Sequence, residues 1–97
     1  MIIVTGMVDV LPAEIDKALA ESIRHVRRSR AEPGCLSHAV HRDVDDPNRL
    51  MFFEEWEDMA ALQTHFRVPE SGAFVTALSA MATAAPVLTI YEATPIG

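Results

Sequence analysis

Residues 49–66, RLMFFEEWEDMAALQTHF, decide the fold, because a strand pattern gives way there to a helix pattern. Residues 49–56 are rich in aromatic and apolar side chains, which is typical of a strand. Asp58 follows at a position where its side chain can cap a helix. That helix carries three apolar residues on one face, Met59, Leu62 and Phe66. Trp56, the only tryptophan, stands at the junction, and His65 lies on the helix.

The neighbouring segments supply three more strands. Residues 35–44 alternate loosely, and the turn DDPN places Pro47 where a turn favours proline, so residues 35–56 are predicted to form a hairpin. Residues 2–10 are rich in Ile and Val and are apolar at most positions, which is typical of a strand covered on both faces. Residues 86–93, PVLTIYEA, are predicted to be the last strand.

Two further helices are predicted from helical spacing of apolar residues. The first begins near Pro12, which suits a first helical turn, and ends before residues 31–34, AEPG. Its apolar stripe is Ile15, Leu19, Ile23 and Val26. The other runs from about residue 71 to residue 84, with an inner side formed by Phe74, Leu78 and Met81.

The order strand, helix, strand, strand, helix pair, strand predicts an α+β protein with a ferredoxin-like fold. Four antiparallel strands form one sheet with the helices on one face, and residues 1–97 make a single domain. The strands are apolar on both faces: Ile2 and Val4 point one way, whereas Ile3 and Met7 point the other. An uncovered apolar face needs a partner, so we expect a homodimer whose sheets pack face to face.

Composition excludes several classes of function. The formal net charge of −6 argues against a nucleic-acid partner. No run approaches the roughly 20 apolar residues of a membrane span. Cys35 is the only cysteine, so an internal disulfide is impossible, and we expect it to be a small packing residue. The first residues lack the features of a signal peptide, and we expect a cytoplasmic protein.

Four short motifs resemble the antibiotic biosynthesis monooxygenase family. They are EPGC at residues 32–35, DP at 46–47, FEEW at 53–56 and ALQTH at 61–65. The resemblance covers almost the whole chain and implies a dimeric α/β barrel. Relatives include cofactor-independent monooxygenases of anthrones and quinols, haem-degrading enzymes and small-sugar isomerases.

The haem-degrading branch of that family is a poor match. Its members use an Asn on the first strand, a Trp in the second-helix region and a His on the last helix. Here the first strand has no Asn, His65 takes the place of that Trp, and the last helix has no His. The chain also lacks a glycine-rich phosphate loop and a dinucleotide fingerprint, so we expect no cofactor.

His65 is the candidate catalytic residue. It borders the apolar face of its helix, and a histidine exchanges protons near neutral pH. Cofactor-free oxygenation needs such a base to make an enolate that reduces O2, in a site that excludes water. The alternative is a half-buried histidine bonded to a backbone carbonyl.

The other candidates are substrate-binding residues. Trp56 is either an aromatic wall of the site or a core anchor. Glu54, two residues earlier, shares its strand face, and is either a second base whose pKa burial raises or a solvated or ion-paired strand residue. Four apolar residues fit a pocket lining, although residues at such spacings belong to the core more often than they contact a ligand: Phe52, Phe66, Phe74 and Met81.

The remaining histidines are weaker candidates. His38 and His41 have opposite parity on one strand, so only one can face the helix side; we include His38 among the substrate-binding candidates. Neither has a metal-ligand spacing with another His or a carboxylate, and we expect no metal site. His25, among the arginines at the end of the first helix, is expected on the surface.

These residues lead to one hypothesis with two alternatives. The hypothesis is a cofactor-independent monooxygenase that oxidises a small aromatic quinol or anthrone-like compound with O2. The alternatives are a non-catalytic dimer that binds a small apolar ligand, and an isomerase in which the histidine moves a proton without consuming oxygen. A dry pocket with His65 at its edge favours the enzyme.

Overall fold

The computed structural model describes residues 1–97 and has the predicted order of elements. The four strands are β1 (Ile2–Asp9), β2 (Cys35–Arg42), β3 (Arg49–Trp56) and β4 (Val87–Glu92). The helices are α1 (Ile15–Ser29), α2 (Met59–Arg67) and α3 (Pro69–Met81), and a 3₁₀ turn, Pro12–Glu14, precedes α1. No helix has the length and apolar character needed to cross a membrane.

The sheet has the strand order β2-β3-β1-β4, and every neighbouring pair is antiparallel. This confirms the α+β, ferredoxin-like fold. The register places Val4 opposite Glu54 on β3, and Glu54 opposite His38 on β2. Those side chains therefore share the face that the helices cover.

The parity of β1 is also as predicted. Ile2 and Val4 are buried beneath the helices, whereas Ile3 and Met7 lie on the outer face and are partly exposed. That outer face continues across Met51, Phe53, Val87 and Tyr91, which are all exposed. The single chain thus leaves one face of its sheet apolar and open.

The helix boundaries differ from the prediction at three places. The first helix was expected to begin near Pro12, but Pro12–Glu14 form a 3₁₀ turn and α1 begins at Ile15. We expected the last helix over residues 71–84, but α3 begins at Pro69, because a proline suits the first helical turn after the extended Val68. It ends at Met81, because Ala82 adopts an extended conformation. The predicted cap of α2 is confirmed: the Oδ1 atom of Asp58 accepts a 2.9 Å hydrogen bond from the backbone N–H of Ala61.

The layer between sheet and helices contains two apolar clusters and a group of buried histidines. The larger cluster comprises Val8, Val10, Ala18, Val26, Leu50, Phe52, Phe74, Leu78 and Met81. A smaller apolar cluster lies elsewhere in this layer, with Ile2, Val4, Trp56 and Leu62. Three buried histidines lie against members of both clusters, in ring contact with Phe74 from the first and Trp56 from the second.

Candidate functional site

A cavity of about 160 Å³ opens between the sheet and the helices α2 and α3. Its polar residues are His25, Glu54, His65 and Ser71. The rest of the lining is apolar or glycine: Gly6, Met7, Val8, Phe52, Phe66, Gly72, Phe74, Val75, Leu78, Pro86, Val87 and Leu88. A mostly apolar wall with a few convergent polar groups is the usual form of a small-molecule site.

His65 lies on this cavity, as predicted, and only 3 % of it is exposed. Its Nδ1 atom is 2.8 Å from the Oε1 atom of Glu32. An ionised carboxylate only accepts hydrogen bonds, so Nδ1 carries the proton and, in the neutral ring, Nε2 keeps the lone pair. The indole of Trp56 packs on the other side, with ring centroids 4.6 Å apart. His65 is therefore a histidine–carboxylate pair held against an aromatic surface.

The turn before β2 brings Glu32 to His65. Gly34 has φ of +80°, a conformation that favours glycine, and a Cβ atom there would lie 2.6 Å from the Cβ of Ala61. The carbonyl of Gly34 also accepts a 2.8 Å hydrogen bond from the N–H of Glu57. The turn is thus pressed against the start of α2, where Glu32 can reach His65.

The predicted role of Trp56 as a wall of the site needs correction. Its side chain is fully buried and lies behind His65, so it does not border the cavity. Its Nε1–H donates a 2.9 Å hydrogen bond to the Oε1 atom of Glu54. Trp56 is the core anchor that the alternative interpretation described, and it supports two residues that do border the cavity.

Glu54 is buried, but its pKa is lowered rather than raised as the sequence analysis predicted. Burial by itself raises the pKa, yet His38, the Trp56 N–H and His65 together outweigh it and hold the pKa below its usual value. Its Oε1 atom lies 3.3 Å from the Nε2 atom of His38 and accepts the shorter hydrogen bond from Trp56. Glu54 is therefore a carboxylate at neutral pH, a weaker base than one with a raised pKa.

Only one of the two histidines on β2 could face the helices, and it is His38. His38 faces the helices and is 2 % exposed, whereas His41 lies on the outer face and is exposed. His38 does not border the cavity, which corrects the prediction that it binds substrate directly. Both of its ring nitrogens are sealed from solvent, and neither makes a hydrogen bond of normal geometry. Its Nε2 atom lies close to the Oε1 atom of Glu54, but the contact lacks the geometry of a hydrogen bond.

The prediction that His25 lies on the surface is wrong. It is 6 % exposed, borders the cavity, and stacks on Phe74 with ring centroids 4.1 Å apart and planes within 6°. Burial lowers its pKa to about 3, and His38, Arg28 and His65 add to that effect. His25 is therefore uncharged at neutral pH.

Small polar residues on the buried face of α1 explain why the sequence did not predict that His25 is buried. The buried residues of α1 are Ala18, Ser22, His25, Val26 and Ser29. Of the predicted apolar stripe only Val26 is buried, and its other members are partly exposed. The hydroxyls of Ser22 and Ser29 donate 2.7 Å hydrogen bonds to the backbone carbonyls of Ala18 and His25, one helical turn earlier. Serines satisfied within their own helix can be buried, so the inner face of α1 is partly polar.

His25, His38 and His65 form one cluster. One ring nitrogen from each lies within 4.8 Å of those of the other two, and the centroids of each pair of rings are 5.3 to 5.6 Å apart. Three buried histidines are a possible ligand set for a transition metal. The sequence prediction of no metal-ligand set considered one strand at a time and missed this cluster, which joins α1, β2 and α2.

The phenylalanines and the cysteine complete the predicted set. Phe52, Phe66 and Phe74 all border the cavity, although Phe66 is largely exposed at its edge. The buried face of α2 consists of Leu62 and His65, so Met59 and Phe66 are more exposed than predicted. Burial and the nearby Glu32 raise the pKa of the Cys35 thiol, which keeps it protonated and unreactive.

Comparison with known sequences gives a family and one curated relative. The model of the family described as antibiotic biosynthesis monooxygenase matches residues 1–77. An uncharacterised protein of Synechocystis is 38 % identical over 74 residues, which cover 76 % of this chain. The same segment spans 50 % of the length of that relative.

Comparison with solved structures supports the same family. A crystal structure of an antibiotic biosynthesis monooxygenase is 29 % identical, with a TM-score of 0.90 over 98 % of this chain and 100 % of that one. A candidate antibiotic biosynthesis monooxygenase of Deinococcus radiodurans is 25 % identical, with a TM-score of 0.93 over 99 % and 95 % of the two chains. A conserved protein of Methanosarcina mazei shares the fold, at 22 % identity and a TM-score of 0.91 over 96 % and 92 %.

Proposed function

Because the chain belongs to the antibiotic biosynthesis monooxygenase family, we propose that it is a cofactor-independent monooxygenase. Its substrate is a small aromatic quinol or an anthrone-like compound, and its oxidant is O2. The observation that carries this proposal is His65, which borders an apolar cavity while Glu32 holds its Nδ1 atom.

The histidine begins the reaction by removing a proton. Nε2 of His65 takes the proton of the substrate O–H or enol, and the ring system becomes an electron-rich anion. That anion transfers an electron to O2, and the two radicals join into a peroxide, which the His65 imidazolium protonates. Loss of water from the peroxide leaves a new C=O group. The substrate supplies all four electrons, so the reaction needs no other reductant.

Glu32 has two effects on this step. It orients the imidazole, and its negative charge stabilises the imidazolium that forms after proton transfer. The buried indole of Trp56 packs on the ring and prevents it from turning away. Both residues are therefore positioning residues for His65.

The cavity supports a substrate with one aromatic ring more than one with three. Its volume of about 160 Å³ is close to that of an engineered apolar cavity, about 150 Å³, which binds benzene. The mostly apolar lining also offers water few hydrogen-bond partners, and water would divert the radical and peroxide intermediates. Within the proposed class, single-ring quinols should therefore be better substrates than tricyclic anthrones.

An isomerase would use the same histidine and carboxylate, since it also moves a proton between substrate atoms. The two enzymes differ in one observable property, the consumption of O2. A non-catalytic binding module would also use the cavity, but it would not need the Glu32 carboxylate behind the histidine.

We also propose that the protein works as a homodimer in the cytoplasm. The apolar outer face of the sheet supports dimerisation, because exposed side chains such as Phe53 and Tyr91 would be buried between two packed sheets. A Phe53→Glu, Tyr91→Glu variant should sediment as a monomer, whereas Val44→Glu in the β2–β3 turn should sediment like the wild type. The free thiol of Cys35 fits a reducing compartment.

Oxygen uptake by the metal-stripped protein tests the main proposal. The substrates are a panel of single-ring quinols and tricyclic anthrones, each corrected for its autoxidation rate. We expect catalysed uptake that His65→Ala lowers at least about tenfold, since general bases contribute about 10² to 10⁴. Gln63→Ala, on the exposed side of α2, is the matched control and should leave uptake unchanged.

Each outcome of that experiment assigns the function. Uptake that survives in a folded His65→Ala variant would remove His65 from the mechanism. No uptake with any member of the panel, together with isomerisation of a quinol or enol that depends on His65, would establish the isomerase. The Glu32→Gln variant should lose part of the rate and shift the pH profile, because the imidazolium loses its counter-charge.

A further inference from the structure

His25 and His65 hold their ring protons on opposite nitrogens. The Nδ1 atom of His25 is 2.6 Å from the Nη2 atom of Arg28. A guanidinium can only donate, so Nδ1 of His25 is an acceptor, and in the neutral ring the proton lies on Nε2. His65 has the reverse arrangement, because the carboxylate of Glu32 requires the proton on Nδ1. One histidine therefore offers the cavity a donor, and the other offers it an acceptor.

Both Nε2 atoms are available to a ligand in the cavity. Each histidine makes its one side-chain hydrogen bond through Nδ1, and both residues border the cavity. The nitrogen and oxygen atoms that are sealed without a hydrogen-bond partner include both ring nitrogens of His38, but no nitrogen of His25 or His65. His38 is thus closed off from the ligand, while the other two histidines are not.

The chemistry of the cluster suits an oxygen atom better than a metal ion. One oxygen that bonds two nitrogens at about 2.8 Å, with a tetrahedral angle, holds them about 4.6 Å apart. One nitrogen of each ring lies within 4.8 Å of those of the other two, so a single oxygen can bridge two rings. That limit also admits a metal ion such as Zn²⁺, but the metal would need a lone pair on every ring. Arg28 denies that lone pair at Nε2 of His25.

We infer that His25 and His65 together bind one phenol or enol oxygen of the substrate, with His65 as acceptor of its proton and His25 as donor to the resulting anion. The O–H bond of the substrate breaks and an N–H bond forms at Nε2 of His65. The Nε2–H bond of His25 stays intact and only donates a hydrogen bond. Arg28 is a positioning residue, because it fixes which nitrogen of His25 carries the proton.

The neutral state of His25 suits this role. A charged imidazolium there would repel the imidazolium that forms on His65, whereas a neutral N–H stabilises the anion without that repulsion. Burial and the positive charge of Arg28 keep His25 neutral through the pH range in which the enzyme would work. The stack on Phe74 fixes the plane of the ring and therefore the direction of the N–H.

The inference rests on the proposed function for the chemical class of the oxygen, so its test measures binding without turnover. The probes are 4-nitrophenol, a single-ring phenol whose ionised form is coloured, and nitrobenzene, which lacks the oxygen. His25→Phe keeps an aromatic ring for the stack on Phe74 but removes the N–H. We expect it to weaken 4-nitrophenolate binding at least tenfold and to leave nitrobenzene binding unchanged.

Arg28→Met provides a second variant and Arg27→Met its matched control, since Arg27 is exposed one residue away. Imidazole ¹⁵N chemical shifts should report His25 with its proton on Nε2 and His65 with its proton on Nδ1 in the wild type and in Arg27→Met. In Arg28→Met the His25 signal should become a mixture of tautomers, and 4-nitrophenolate binding should weaken severalfold.

The outcomes separate this inference from the proposed function. The inference is overturned if His25 carries its proton on Nδ1 in the wild type, or if His25→Phe weakens both probes equally or neither. Tight 4-nitrophenolate binding through His25 without oxygen uptake would remove the oxygenase and keep the inference. If a folded His25→Phe variant takes up oxygen at the wild-type rate, the inference is overturned and the oxygenase proposal stands.

Discussion

The layer between sheet and helices has two halves that are equally buried and differently built. Around Leu50 and Leu78 every side chain is apolar, whereas around His25, His38 and His65 the interior contains ring nitrogens and two carboxylates. Burial of apolar groups stabilises a fold, and burial of polar groups costs free energy unless each finds a partner. The apolar half therefore holds the chain together, and the histidine half is the part that we propose to serve the ligand.

The largest effect should come from a cavity in the apolar half. Leu50 is fully buried, so Leu50→Ala should lower the free energy of unfolding by about 2–5 kcal/mol. Urea unfolding at a fixed protein concentration measures this. Leu36→Ala, at an exposed position of β2, should stay within about 0.5 kcal/mol of the wild type. An equally small effect at Leu50 would contradict the division of the layer into two halves.

The histidine half should make stability depend on pH. The pKa of His25 is about 3 in the folded protein and 6.5 in the unfolded chain, so between those values the unfolded chain binds the extra proton. Stability from this source is complete above about pH 6.5 and is lost as the pH falls towards 3. The slope contributed by one such group reaches about 1.4 kcal/mol per pH unit.

His25→Phe should remove that slope, and urea unfolding at several pH values measures it. Every titratable or charged group that faces His25 from the neighbouring elements must be considered: His38, His65, Glu54 and Arg28. Glu54 has a lowered pKa and therefore also loses its contribution as the pH falls, so Glu54→Gln is the parallel variant. An unchanged slope in His25→Phe would mean that His25 is protonated in the folded protein.

The apolar half was largely predictable from the sequence, and the histidine half was not. The alternation in β1 and the spacing of Phe74, Leu78 and Met81 identify their buried faces, because apolar residues repeat with the period of the element. The resemblance to a family pointed to His65. Those signals are local, since each comes from one element.

The missing members of the site depend on contacts between distant segments. Glu32 lies in a turn, and only the close approach of Gly34 to Ala61 brings it to His65. His25 is surrounded in sequence by arginines and serines, so no apolar period indicates that it is buried. The one available signal was the pair of serines at helical spacing from it, which a helix can bury by bonding them to its own carbonyls.

The smallest effect should come from the cap of α2, the helix that carries both the apolar Leu62 and His65. Asp58→Ala removes the hydrogen bond to Ala61 and should cost about 1 kcal/mol of stability. Thermal unfolding measures the loss, with Asp45→Ala, exposed in the β2–β3 turn, as the control. A loss equal to that of Leu50→Ala would contradict this ranking.

The sealed ring of His38 cannot be replaced on its own. Its nitrogens lack hydrogen bonds of normal geometry, but the ring also holds the pKa of the buried Glu54 low, so a leucine there would leave that carboxylate with one partner fewer. Laboratory evolution for heat resistance alone should therefore exchange His38 and Glu54 together for apolar residues, and only the double replacement should gain stability. The two side chains are in effect a single unit of inheritance, although 16 positions separate them in the sequence.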